Sequence, residues 1–129
     1  MSTVYIVPSY KRFEDAVADL ESAAQRHGID LLNVHDLGAT LRRKGEPFSE
    51  ECKVYEVCDP SAATQVMSAD MRLNMAVPCR ISVYTDRGAT RIGLMRPAPL
   101  LEELSDEPRI REVVEDVDEQ ARRLVDEAR

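Results

Sequence analysis

From Glu107 onward, Ile110, Val113, Val114, Val117, Ala121, Leu124 and Val125 step by three and four residues without a break. The spacing predicts one amphipathic helix of about 20 residues, roughly 30 Å long. A helix with a single apolar stripe has to bury it against another layer, and the rest of the chain offers strands for that layer. Thr3–Val7 is rich in β-branched and aromatic residues and ends at Pro8, which suits a first strand. Ile29–Asp36 fits a half-buried edge strand, with Leu32 and Val34 on one face and Leu31, Asn33 and His35 on the other. Cys52–Val57 alternates polar with apolar residues and stops at Cys58-Asp59-Pro60. Cys79–Tyr84 and Ala89–Met95 flank a turn containing Gly88 and read as an antiparallel hairpin, with Pro97 and Pro99 ending the sheet.

Three further helices follow from local signals. Phe13, Ala16, Val17, Leu20 and Ala24 recur at helical spacing up to Gly28, predicting a helix from about Arg12 to His27. Leu37–Lys44 is a short helix stopped by Gly45 and Pro47. Its Arg42-Arg43-Lys44 triplet complements the negative end of the helix. Asp59 is a preferred N-cap and Pro60 a preferred first residue for a helix over 59–69. The element order implies one α+β domain over residues 1–129: a mixed, mainly antiparallel sheet covered by helices, with the long amphipathic helix at its C-terminal end.

Charge narrows the partners. The net charge is −7, and Glu102–Arg129 carries eleven acidic residues against five Arg, so nearly all the excess lies in the last 28 residues. A solvated helix face accounts for it. A chain of this sign lacks the basic face that grips phosphates, so nucleic acid is not an expected partner. The first eight residues lack a basic start and are too short to span a bilayer, which reads as a cytoplasmic protein with no membrane association. Cys52, Cys58 and Cys79 make an odd set for a reducing compartment. A disulfide framework is therefore not expected.

Several of these segments, taken together, resemble a bacterial and archaeal family, the domain of unknown function numbered three hundred and two. The resemblance runs through the Phe13-Glu-Asp-Ala-Val17 helix ending at Gly28, the Ala39–Gly45 turn, Val57-Cys58-Asp59-Pro60, Val77–Tyr84 and the closing acidic helix. It implies a compact α+β fold and a homodimer, and it carries no activity with it. The transferable site candidates are Cys58, in a motif resembling Cys-Asn-Pro, and Cys79 in the Pro-Cys step. Asp59 stands where Asn is common, which keeps the capping chemistry and sets a negative charge beside the thiol.

Sulfur also recurs at Met67, Met71, Met75 and Cys79, one every fourth residue. The spacing shares one face only while the chain stays helical, and the segment after Asp70 leaves the helix. Met67 and Met75 are expected to pack in the core and Met71 to be exposed. No Cys-x-x-Cys or His-x-x-x-His pair is present, so a structural zinc site is not expected. A cysteine at a helix start gains thiolate character, which makes Cys58, with Cys79 as partner, the candidate site for a soft metal ion or a small thiol-reactive ligand. Two alternatives stand beside it. One is a thiol redox protein in which Cys58 attacks and Cys79 resolves; the other is an interaction module using its sheet or acidic helix.

Overall fold

The structure, a computed structural model, describes residues 2–129. Strands β1 (Val4–Pro8), β2 (Asp30–Asp36), β3 (Cys52–Cys58), β4 (Cys79–Asp86) and β5 (Ala89–Met95) form one sheet in the order β1-β5-β4-β3-β2. All four ladders are antiparallel, so the sheet contains no parallel pair. The helices are α1 (Phe13–Arg26), α2 (Leu37–Arg43), α3 (Pro60–Ala69), α4 (Pro97–Leu104) and α5 (Arg111–Ala128). Short 3₁₀ segments cover Met71–Ala76 and Pro108–Ile110. Among the described residues, no helix is long and apolar enough to cross a membrane.

Period-two alternation sends Tyr55 and Val57 of β3, Ile81 and Val83 of β4, and Ile92 and Leu94 of β5 to one face of the sheet. There α1 brings Phe13, Ala16, Val17, Leu20, Ala23 and Ala24, and the second half of α5 brings Ala121, Leu124, Val125 and Ala128, to make the main core. A second cluster, Val66, Leu73, Ala98, Leu101, Ile110 and Val114, joins α3, α4 and the first half of α5. The apolar stripe of α5 thus binds two cores in series.

Three expectations are corrected. Pro97 and Pro99 do not simply end the sheet: Pro97 sits at the start of α4, where a missing N–H costs nothing. Met75 is exposed, at 68%, as is Met71, at 67%. Asp70 is extended and accepts the Arg72 amide, so the chain restarts as a 3₁₀ turn whose buried residue is Leu73. In β2 a register shift between Leu31 and Asn33 interrupts the alternation, leaving Leu32 and Val34 exposed while Leu31 packs against the core.

The acidic helix is also not solvated throughout. Asp118 is 3% exposed. One of its oxygens accepts the Ala98 amide at 3.2 Å, and the other faces Arg96 Nη2 at 3.0 Å and Arg122 Nε at 3.2 Å. The carboxylate ties the β5–α4 corner to α5.

Candidate functional site

The register of the β3–β4 ladder pairs Val57 with Cys79, one residue from Cys58. Partners across an antiparallel pair and a one-residue offset place the Cys58 and Cys79 Cα atoms roughly 6 Å apart. The sequence separation of 21 residues is closed by α3 and the Met71–Ala76 turn, which return the chain to the same end of the sheet.

Both cysteines line one recess. Its floor is Val57, Cys79 and Leu124; α3 contributes Ala62, Ala63 and Val66, and α5 contributes Val117, Gln120 and Ala121. The buried lining residues come from both cores, Val57, Cys79, Ala121 and Leu124 from the main one and Val66 and Leu101 from the second, so the recess is the seam between them. It stays open because the facing side chains are small: alanine at 62, 63 and 121 and cysteine at 58 and 79. The cavity is about 30 Å³, room for one or two waters. Cys58, Ala63, Val117 and Gln120 are partly exposed and form its rim, while Cys79 is 9% exposed.

The electrostatics oppose thiolate formation at all three cysteines. Burial pushes the Cys79 thiol up to about 12, with neighbouring Cys58 and Asp118 adding to the effect. Cys58 is raised by burial and then by the carboxylates of Asp59 and Asp30. Cys52 is raised by burial and Asp36. The activation expected of Cys58 at the helix start does not arise, for a local reason. Asp59 caps α3, its Oδ1 accepting the Ser61 and Ala62 amides at 3.1 and 3.3 Å, so the free N–H groups that would favour a thiolate are already committed to a carboxylate.

No group of three or more His, Cys, Asp or Glu side chains suited to a metal ion occurs among the described residues. His27 pairs with Glu127 at 2.9 Å and His35 with Glu56 at 2.6 Å, so both imidazoles are engaged by carboxylates. Arg42 of the basic triplet points to the carbonyls of Phe48 and Glu50 and to Glu51, a structural role.

The sequence reading missed the α3 and α5 walls. Two signals were present: the Ala62-Ala63 pair directly behind the cap, and Asp118, which interrupts the apolar steps from Val114 to Ala121 at the spacing of a core position.

The family model described as Domain of unknown function DUF302 matches residues 5–128. A solved crystal structure, of an uncharacterized conserved protein DUF302 from Bacillus stearothermophilus, matches with a TM-score of 0.91 over 100% of both chains at 25% identity. No curated protein matches the chain.

Proposed function

Starting from a chain that belongs to the DUF302 family, we propose that the recess at Cys58 and Cys79 is a binding site for a small ligand. The observation that carries this reading is the seam itself: two cysteines from adjacent strands and small residues of α3 and α5 line an opening between two cores. Concave, mainly apolar sites with a few polar groups at the rim are where small molecules bind. With both thiols protonated at neutral pH, the sulfurs act as soft, polarisable wall atoms. The redox alternative, with Cys58 attacking and Cys79 resolving, requires a thiolate that burial, Asp59 and Asp30 all oppose. A soft metal ion would have to rely on the two sulfurs alone and displace both protons.

Amide chemical shifts under rising xenon pressure test the site, with an apolar probe of about the volume of one to two waters, matched to a cavity of about 30 Å³. Saturable shifts at Ala62, Ala63 and Ala121 are expected, and Ala63→Leu, which plugs the rim without touching the buried floor, should abolish them. Shifts that never saturate, or that survive Ala63→Leu, would overturn the reading. Stoichiometric uptake of monovalent copper lost in either Cys58→Ser or Cys79→Ser would instead assign the recess to a metal.

A second reading concerns the other face of the sheet and the homodimer that the family resemblance implies. The row Ile6, Gly93, Ser82, Val54 and His35 crosses all five strands. Ile6 (49% exposed), Val4 and Met95 leave this face apolar at the β1–β5 side, around a groove of about 270 Å³. Five strands at about 4.8 Å spacing give a face roughly 24 Å wide. Glu56 and Arg80, partners in the β3–β4 ladder, put charges of both signs on it. Light scattering on the eluted protein is expected to give the dimer mass, and Ile6→Asp to give the monomer with unchanged circular dichroism. A wild-type monomer, or a dimer indifferent to Ile6→Asp, would reject this face.

A further inference from the structure

The two cores differ in what holds them. The main core draws on β3, β4 and β5 as well as α1 and α5, so the ladders of the sheet back it. The second, Val66, Leu73, Ala98, Leu101, Ile110 and Val114, contains no strand residue. It joins a lobe, made of α3, α4 and the two 3₁₀ segments, to the first half of α5. The chain passes from strand into this lobe at Pro60 and Pro97 and returns at Pro78, residues with no N–H to carry a backbone hydrogen bond across. Away from these junctions and from the backbone that runs on into α5, one hydrogen bond among the described residues ties the lobe to the rest of the fold, from the Ala98 amide to Asp118. Between lobe and sheet lies the recess, a gap of about 30 Å³ where the two cores do not meet. Such a gap forfeits dispersion contacts on both of its walls. A region with few buried apolar groups and few ties to its surroundings is where a fold opens first.

We infer that α3, the Met71–Ala76 turn, α4 and the Pro108–Ile110 turn form one cooperative unit that unfolds while the sheet, α1 and the second half of α5 stay intact. The unit is a gate on the recess. Its opening removes Val66 and Leu101 from the wall and uncovers Val57 and Cys79, widening a recess that admits only one or two waters when closed. The gate follows from the division of the core, so it stands whatever the recess binds.

Amide hydrogen exchange across a guanidinium series, together with iodoacetamide labelling of Cys79 at pH 8 in the Cys52→Ser, Cys58→Ser protein, tests the gate. Helices of ten and eight residues, the lengths of α3 and α4, do not persist once detached. The Val66, Leu101 and Leu104 amides are therefore expected to exchange through one shared opening. That opening should be about tenfold or more above the global unfolding that releases Ile81 and Val83 of β4, and should have a shallower denaturant slope. Two matched deletions assign it to the unit. Ile110→Val, in the second core, should speed exchange at Val66, Leu101 and Leu104 and labelling of Cys79 by about fivefold. Ile92→Val, the same deletion in the main core, should leave all four unchanged and speed only Ile81 and Val83, by about the same factor. Equal responses of all sites to both variants would make the molecule a single cooperative unit, and unrelated rates at Val66, Leu101 and Leu104 would reduce the opening to fraying; either result overturns the inference. Labelling of Cys79 that ignores Ile110→Val would overturn it as well, since the thiol would then be reached without the gate.

Discussion

Asp118→Ala is expected to lower the unfolding free energy by about 3–5 kcal/mol, the cost of removing one partner from a buried ion pair. Arg96 is largely buried, and its Nε has no hydrogen-bond partner, so losing the carboxylate leaves its charge in the interior with little to compensate it. The Ala98 amide at the first turn of α4 loses its acceptor at the same time. Asp118→Asn retains an oxygen for Ala98 and removes only the charge, so comparing the two variants by chemical denaturation separates the capping bond from the ion pairs. A loss below about 1 kcal/mol for Asp118→Ala, the level of an exposed pair, would mean that Arg96 and Arg122 find water in place of the carboxylate.

Cys79 should be close to inert at neutral pH. With its thiol pushed up to about 12 from an ordinary value of 9.0, its thiolate population below pH 8 is about a thousandfold smaller than that of a free cysteine. In a variant carrying Cys52→Ser and Cys58→Ser, alkylation by iodoacetamide is expected to run at least that much slower than for the unfolded chain and to rise about tenfold per pH unit. Removing Cys58 leaves burial, the largest cause, in place. The same shift fixes the sign of the stability effect. A thiol whose folded value lies above its unfolded value contributes stability that is complete below about pH 9 and is lost as the pH rises towards about 12. Labelling at the unfolded rate at pH 7.5, with the protein still folded, would show that Cys79 is neither buried nor electrostatically suppressed.

These two residues illustrate how far the sequence carries. Asp118 is one of eleven acids in the last 28 residues, and the general rule for such a run, a solvated face, holds for most of them. It fails at Asp118 because α4 and the β5–α4 corner pack against that point of α5, a contact between segments about 20 residues apart. Cys58 was placed correctly at the start of α3 from Asp59 and Pro60 alone. The same Asp59 explains why that placement does not activate the thiol: a side-chain carboxylate competes for the free amides and wins by being one residue nearer.

The elements themselves were set locally. Apolar steps of three and four wrote α1 and α5, alternation wrote β3, β4 and β5, and Asp59-Pro60 and Gly28 wrote boundaries, because each depends on neighbours within one or two turns. The exposure of Met75 and the helix that begins at Pro97 were misread where the chain changes its local geometry, at Asp70 and at Arg96. Strand order, the pairing of Val57 with Cys79 and the seam between the two cores were decided by tertiary packing. Register and inter-core fit are fixed by how all the buried faces pack at once, and no short window of sequence contains that information.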